Sequence, residues 1–133
     1  MTITKILDTF ALTVFFEDEP GADFVRELLL DAESKNIELA MTVVNLGEVW
    51  YSIARTVSSE QADSIVQEIR GMSIEIIDAD WKLTHQAAIY KSRGGISYAD
   101  CYAAALAKLR KAVVITGDPE FQKLKDEVTT AWI

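Results

Sequence analysis

The stretch VVITGDPEF, residues 113–121, changes from a strand pattern to a helix pattern within a few residues. It begins with apolar and β-branched residues, which are typical of a buried strand. A glycine then breaks the strand, and Asp118 followed by Pro119 is typical of a helix start, with an N-cap and a proline in the first turn. The stretch therefore predicts a short strand over Val113–Thr116 and a short helix over Pro119–Lys125.

The same alternation of strand and helix continues along the rest of the chain. Further strands are predicted at Ile3–Leu7, Ile37–Met41, Ile74–Ile77 and Val128–Ile133. Helices are predicted at Ala22–Lys35, from Thr42 to Val57, from Ser58 or Ser59 to Gly71, at Asp80–Ser92 and from Ser97 to about Lys111. Strands that alternate with helices require crossover connections, and these produce a parallel sheet with helices on both faces. We therefore predict an α/β fold of three layers, α/β/α, with a mostly parallel sheet of four to five strands.

The composition favours a single globular domain over residues 1–133. Half of the 133 residues are hydrophobic, which is enough to bury one sizeable core. No apolar run is long enough to cross a bilayer, and Asp8 interrupts the apolar N-terminal stretch, which argues against a signal peptide. Cys101 is the single cysteine, so an intrachain disulfide is excluded and a reducing compartment is favoured. We therefore predict a cytoplasmic protein without a membrane segment.

The formal net charge of −8 bears on the choice of partner. Proteins that bind nucleic acids usually present a basic surface, because the neutralisation of phosphates drives their affinity. An acidic chain can still act on a nucleic acid if bound metal ions reverse the local potential. Alternatively, its acidity can attract a basic protein partner. The charge alone argues against a nuclease and leaves these two explanations open.

Four carboxylates are expected at one edge of the predicted sheet. Asp8 and Asp118 directly follow predicted strands, and Glu48 and Asp100 lie in the early turns of predicted helices. In open parallel sheets, ligands bind in the crevice outside the carboxyl ends of the strands. The shared position of the four acids therefore indicates a joint role.

Each of these acids also has a local structural explanation. Asp8 and Asp118 can be helix N-caps, and Asp100 can reach back to Ser97 in a capping box. Glu48 can be an ordinary surface glutamate, which is the usual place of a helix acid. Taken singly, these explanations stay open for all four residues.

Carboxylates held within a few ångströms raise each other's pKa, and a divalent cation removes that repulsion. The chain has a single histidine, His85, and no Cys/His cluster, which argues against zinc. Oxygen ligands select hard ions such as Mg²⁺ or Mn²⁺, and these can activate water and hold the oxygens of a phosphodiester. The chain also lacks a Ser/His/Asp triad and a phosphate-binding glycine loop. We therefore predict metal-dependent phosphodiester hydrolysis.

Four segments carry a resemblance to a known family. KILDTFALTVFFEDEPGA, TVVNLGEVWYS, GGISYADCYAAALAKL and VVITGDPEF, in this order and spacing, resemble the PIN-domain nucleases. More narrowly, the chain resembles the VapC-type toxins of bacterial and archaeal toxin–antitoxin pairs. The resemblance extends over essentially the whole chain, and SYAD with its alanine-rich helix and TGDPEF are its most specific parts.

This resemblance implies an endoribonuclease and assigns a role to five residues. Asp8, Glu48, Asp100 and Asp118 would bind Mg²⁺ or Mn²⁺ and activate water to cleave RNA. Thr116 would supply a hydroxyl to the metal or its waters. The family also implies a cognate antitoxin protein as partner and a homodimer. A basic side chain of the antitoxin could occupy the metal position as a charge substitute.

Several positions remain candidates for supporting roles. Phe10 stands where the family usually has a small polar residue, two positions after the first aspartate. Lys91 and Arg93 are candidate contacts for RNA, although cations are also favoured at a helix C-terminus for structural reasons. Glu120 is a reserve candidate for the metal site.

Three other functions compete with the nuclease. Phosphatases of the haloacid-dehalogenase type place a second acid two residues after the first, where this chain has Phe10. Phospho-receiver domains need paired acids after the first strand and a lysine after the fifth, which this sequence does not show. The alternative that stays open is a catalytically weak or inert PIN-fold module that acts by binding a protein partner.

Overall fold

The computed structural model describes residues 3–133 and consists of a five-stranded sheet with helices on both faces. In chain order the elements are β1 (Ile3–Leu7), α1 (Thr9–Phe16), α2 (Ala22–Glu33), β2 (Ile37–Thr42), α3 (Val43–Thr56), α4 (Ser59–Arg70), β3 (Ile74–Ile77), α5 (Trp81–Ser92), α6 (Tyr98–Arg110), β4 (Val113–Thr116), a 3₁₀ helix (Pro119–Leu124) and β5 (Thr130–Trp132). The strand order is β3-β2-β1-β4-β5, and each neighbouring pair is parallel. The predicted α/β/α fold is therefore confirmed. No helix in this part of the chain is long and apolar enough to cross a membrane.

The predicted boundaries differ from the structure mainly at the ends of elements. β1, β3 and β4 match their predictions residue for residue. The predicted last strand, Val128–Ile133, is too long, because the N–H groups of Glu127 and Val128 still donate to the carbonyl of Leu124. The helix predicted at Pro119–Lys125 is a 3₁₀ helix that ends at Leu124.

The two faces of the sheet are covered by different helices. α5 and α6 pack on one face, in a core that includes Ile6 and Val114. α1 to α4 pack on the other face, in a core that includes Leu7 and Ile115. Ile6 and Leu7 are neighbours on β1 but belong to different cores, because successive side chains of a strand point to opposite faces. The central strands are therefore buried on both sides, as is usual for a parallel sheet.

The inner face of α6 is made of small residues. Its fully buried alanines are Ala103, Ala104 and Ala105, with Ala107 almost fully buried. Short side chains let the backbone of a helix approach the strands closely. This packing brings the first turn of α6 near the end of β1, where the charges of Asp100 and Asp8 interact.

The sheet has its switch point between β1 and β4. From β1 the chain continues outward to β2 and β3, and it then returns to the other side of β1 for β4 and β5. Leu7 pairs with Ile115, so Asp8, which follows β1, and Thr116, the last residue of β4, lie side by side at the carboxyl ends of the two strands. Ligands of open parallel sheets bind at such a point. The fold therefore brings Asp8 and the turn that carries Asp118 to one crevice.

Candidate active site

A pocket of about 460 Å³ opens at the carboxyl edge of the sheet. Its lining residues belong to α1, α3 and the starts of α6 and the 3₁₀ helix: Thr9, Phe10, Thr13, Glu48, Ser97, Asp100, Asp118 and Glu120. Half of these residues are acids, and the described lining includes no lysine, arginine or histidine. The pocket is therefore suited to a cation.

Asp8 directly follows β1 and is completely buried. It is the N-cap of α1, and its Oδ1 accepts a hydrogen bond of 2.9 Å from the N–H of Ala11. Its other oxygen, Oδ2, is buried without a hydrogen-bond partner among the described residues. Burial raises the pKa of Asp8 to about 7, and the negative charges of Asp118 and Glu48 contribute to the rise. The fold therefore holds one oxygen of Asp8 in place and leaves the other unsatisfied.

Asp100, Asp118 and Glu120 form a group in which one carboxylate oxygen of each lies within 4.8 Å of the other two. Asp118 is the N-cap of the 3₁₀ helix, as its position before a proline predicted, and its Oδ1 accepts the N–H of Glu120 at 2.9 Å. Burial and the neighbouring Asp118 raise the pKa of Asp100 to about 8, although Ser97 lowers it. Three acids at this spacing repel one another unless a cation or a proton is shared between them.

Of the two hydrogen bonds of the capping box predicted for Ser97 and Asp100, the structure has one and lacks the other. Ser97 is the N-cap of α6, and its Oγ accepts the N–H of Asp100 at 3.3 Å. The N–H of Ser97, however, donates to Oε1 of Glu120 at 3.0 Å, so the reciprocal bond is made by a residue of the 3₁₀ helix. The cap of α6 therefore does not explain the position of the Asp100 carboxylate, because this carboxylate does not accept the N–H of Ser97.

Glu48 lies on α3 and lines the same pocket in a half-buried position. Its Oε2 accepts a hydrogen bond of 3.2 Å from the hydroxyl of Tyr51, one turn later. The guanidinium of Arg55 lies over the ring of Tyr51, 5.2 Å from the ring centre. The structure thus brings Glu48 to the pocket, although its carboxylate is outside the three-acid group formed by Asp100, Asp118 and Glu120.

Thr116 is fully buried at the end of β4. Its Oγ accepts the N–H of Asp118 at 3.0 Å and thereby stabilises the turn after the strand. The hydroxyl lies close enough to Asp8 to lower the pKa of that carboxyl, but it makes no hydrogen bond of good geometry to Oδ2. A direct role of Thr116 at a metal stays a prediction.

Asn45 has a role that the sequence analysis missed. It is fully buried in the first turn of α3 and bonds to three other elements. Its Nδ2 donates to Oγ of Thr9 at 3.3 Å and to the carbonyl of Ala99 at 3.2 Å, and its Oδ1 accepts the hydroxyl of Thr42. The starts of α1, α3 and α6 are therefore tied together beside the acids that they carry. The one signal in the sequence was an amide on an otherwise apolar helix face.

Phe10 forms one wall of the pocket and is partly exposed. Its ring lies directly over Gly117, where a Cβ atom would come within 2.3 Å of the ring. The turn between β4 and the 3₁₀ helix thus needs a residue without a side chain at this point. Phe10 has no polar atom to offer to the unsatisfied Oδ2 of Asp8.

The two basic residues considered as RNA contacts are both engaged within the protein. The Nζ of Lys91 donates to the carbonyl of Ile96 at 2.8 Å. Arg93 forms an ion pair with Glu127. Both contacts hold the loop that leads from α5 to α6, so these cations have a structural role that differs from the predicted interaction with the helix C-terminus.

The donor set fits a hard divalent cation. The side chains that converge on the pocket offer carboxylate and hydroxyl oxygens, which suit Mg²⁺, Mn²⁺ or Ca²⁺ better than softer metals. A buried carboxylate oxygen without a partner is costly, and a coordinated ion would satisfy Oδ2 of Asp8. Two carboxyl groups with raised pKa values, Asp8 and Asp100, lie on the same side of the fold. Such shifts are common where a site is built to hold charge.

Comparison with known proteins gives a family and several solved structures. The family model described as the PIN domain matches residues 5–127. No curated protein matches the chain.

Three solved structures illustrate the structural likeness. VapBC2 from Rickettsia felis, bound to a DNA fragment from its promoter, is 21% identical with a TM-score of 0.77, and the match covers 98% of this chain and 99% of that one. VapC20 from Mycobacterium tuberculosis, a toxin that cleaves the sarcin–ricin loop, is 14% identical with a TM-score of 0.72 and coverage of 90% and 93%. VapBC-5 from Mycobacterium tuberculosis, a member of the VapBC toxin–antitoxin family, is 25% identical with a TM-score of 0.61 and coverage of 98% and 97%.

Proposed function

The chain belongs to the PIN-domain family, and from this premise we propose that it is a metal-dependent ribonuclease and the toxin of a toxin–antitoxin pair. One observation carries the proposal. A buried aspartate with an unsatisfied oxygen, Asp8, lies at the switch point of a parallel sheet, near enough to Asp100 and Asp118 for their charges to interact. Asp100 and Asp118 form an acidic group with Glu120. Binding of a divalent cation explains both the cluster and the unsatisfied atom.

Asp8, Asp100 and Asp118 would hold the ion, and Glu48 would complete the site from α3. The ion expected from the oxygen donors is Mg²⁺ or Mn²⁺. When bound, it would make water more acidic and offset the charge of a phosphodiester. Thr116 would support the site through the turn that carries Asp118. Hydrolysis inside an RNA strand would make the protein an endoribonuclease.

The acids of the protein would also control when RNA binds. The described lining of the pocket has four acids and no cation, so in the metal-free protein it repels the phosphate backbone. RNA should therefore bind productively only after metal loading. The toxin VapC20 is described as cleaving the sarcin–ricin loop, and we extend to this chain only the substrate class, RNA.

The experiment compares cleavage of a total RNA pool by the wild type and by the variants Asp8→Asn and Asp100→Asn, with Mg²⁺ or Mn²⁺ and with EDTA. Asp126→Asn is the matched control, because Asp126 is exposed and outside the pocket. We expect cleavage by the wild type and the control with metal, and losses of at least a hundredfold in the two site variants. Equal cleavage by all four proteins would show that the assigned site is wrong.

A cognate antitoxin is the proposed protein partner, since two of the similar structures are toxin–antitoxin assemblies. A basic side chain of the antitoxin that entered the acidic pocket would replace the cation and silence the enzyme. We also propose that the chain forms a homodimer. Sedimentation of the free chain and of its complex would measure both associations. An inert module would instead bind its partner equally well after Asp100→Asn and would cleave no RNA in wild-type form.

A further inference from the structure

The start of α6 is capped by residues from two distant parts of the chain. In a capping box, the acid three residues after the N-cap accepts the N–H of the N-cap residue. Ser97 is the N-cap here, so Asp100 is the residue expected to accept. Glu120 accepts this N–H instead, at 3.0 Å, although it lies 23 residues later in the sequence.

This replacement leaves the carboxylate of Asp100 available to the pocket. If Asp100 accepted the N–H of Ser97, one of its carboxylate oxygens would be engaged in the cap of α6. Because Glu120 satisfies the N–H, Asp100 can remain among the acids, with an oxygen within 4.8 Å of Asp118. The side chain of Asp100 is only 6% exposed, so few other positions are open to it.

Glu120 is itself fixed to the opposite side of the pocket. Its backbone N–H donates to Oδ1 of Asp118 at 2.9 Å. Through its backbone it holds Asp118, and through its side chain it holds the residue that begins α6. One residue thus connects the two elements that carry Asp100 and Asp118.

We propose that Glu120 is a positioning residue for the metal site: its carboxylate caps α6 in place of Asp100 and thereby frees Asp100 to bind the ion. The proposal rests on the proposed function in one respect, that Asp100 and Asp118 hold the cation. It distinguishes Glu120 from a metal ligand, although one of its carboxylate oxygens lies within 4.8 Å of oxygens of Asp100 and Asp118.

The test compares Glu120→Gln with Glu120→Ala. Glutamine lacks the charge but keeps an oxygen that can accept the N–H of Ser97, whereas alanine lacks both. A ligand role depends on the charge and predicts that the two variants lose affinity for Mn²⁺ to a similar extent. A capping role predicts that glutamine rescues the loss. Gln122→Ala is the control for truncation, since Gln122 is an exposed residue of the same 3₁₀ helix.

Two measurements are needed, and the first uses metal-free protein. Amide exchange of Ser97, followed by NMR, should be at least tenfold faster in Glu120→Ala than in the wild type or in Glu120→Gln, because the N–H has lost its acceptor. The second measurement is Mn²⁺ affinity by titration. We expect Glu120→Gln to stay within about fivefold of the wild type and Glu120→Ala to bind at least tenfold more weakly than Glu120→Gln.

Equal Mn²⁺ affinity of the two variants would overturn the proposal, whether both are weak or both are like the wild type. Unchanged exchange of the Ser97 amide in Glu120→Ala would overturn it as well, and this result does not depend on catalysis. If instead the proposed function is wrong, the wild type cleaves no RNA while the exchange pattern still follows the cap. The two failures are therefore distinguishable.

Discussion

Replacement of Asp8 by asparagine should stabilise the metal-free protein at neutral and alkaline pH. Asp8 is completely buried, and its charged form leaves Oδ2 without a hydrogen bond. Asparagine has nearly the same shape, can still accept the N–H of Ala11 and carries no charge. The variant thus removes the cost of a buried charge and keeps the cap of α1.

The size of the effect follows from the pKa of Asp8, which burial raises from 3.8 to about 7. One pKa unit corresponds to about 1.4 kcal/mol, so the full shift corresponds to about 4 kcal/mol. The folded protein binds the proton more tightly than the unfolded chain does. The contribution of Asp8 to stability is therefore highest below pH 3.8, falls as the pH rises and has lost the full amount once the pH exceeds about 7. The advantage of Asp8→Asn should grow over the same range.

The assay is urea unfolding of the wild type and Asp8→Asn in EDTA, at a series of pH values from 4.5 upward to about 8.5. We expect the two proteins to differ in free energy of unfolding by less than about 1 kcal/mol at the acid end and by about 3–4 kcal/mol at the alkaline end. Asp31→Asn provides the control, because Asp31 is exposed on α2. Saturating Mn²⁺ should reverse the order by stabilising the wild type alone.

A constant difference between wild type and Asp8→Asn across the pH range would refute this reasoning. It would mean that Asp8 is as easily charged in the fold as in the unfolded chain. A destabilised variant at pH 8 without metal would refute it more directly, since that result requires the charge of Asp8 to be favourable in the empty site.

Three further outcomes can be checked with the same protein. Asn45→Ala should lower the free energy of unfolding by about 2–4 kcal/mol, because it removes the hydrogen bonds of a buried side chain to three elements. A urea titration showing a loss of less than about 1 kcal/mol would contradict the role of Asn45. Gly117→Ala should lower the free energy of unfolding by about 1–3 kcal/mol, because the new Cβ would lie 2.3 Å from the ring of Phe10. The double variant with Phe10→Ala should recover part of this stability in thermal unfolding. Mn²⁺ affinity should fall as the pH is lowered from about 8.5 to about 6. The reason is that Asp8 and Asp100, with pKa values of about 7 and about 8, take up protons that compete with the ion. Affinity that does not change with pH in a calorimetric titration would argue that neither residue is a ligand.

The strands and the order of the layers follow from local patterns in the sequence. β4 was predicted to the residue, because a run of β-branched residues ends at a glycine and an Asp-Pro helix start. The start of β5 was not, because Val128 has strand character but its N–H remains bonded to the preceding turn. Such competition between a strand and a turn depends on tertiary contacts and is not encoded in propensity alone.

For the candidate site, the sequence predicted which acids lie near the edge of the sheet but not how their side chains are arranged. The sheet edge explains why Asp8 and Asp118 meet, since both follow strands that turned out to be neighbours. Three features depended on packing between distant segments: the complete burial of Asp8, the bonds of Asn45 to three elements and the bond from Ser97 to Glu120. None of these leaves a periodic pattern in the chain, so no reading of a local window could reveal them.

The position of β4 beside β1 has a consequence during protein synthesis. The chain emerges from the ribosome with Asp8 first, while its strand neighbour β4 and the turn with Asp118 follow after most of the sequence has been translated. Long-range parallel pairing is slow and waits for the later strand. Until then Asp8 lacks its neighbouring strand β4 and the carboxylate of Asp118, although Asp100 has already been translated. A nascent chain that stops before β4 lacks the turn with Asp118 and should therefore bind the ion more weakly, and a nuclease assembled in this way would become active only after β4 has joined the sheet.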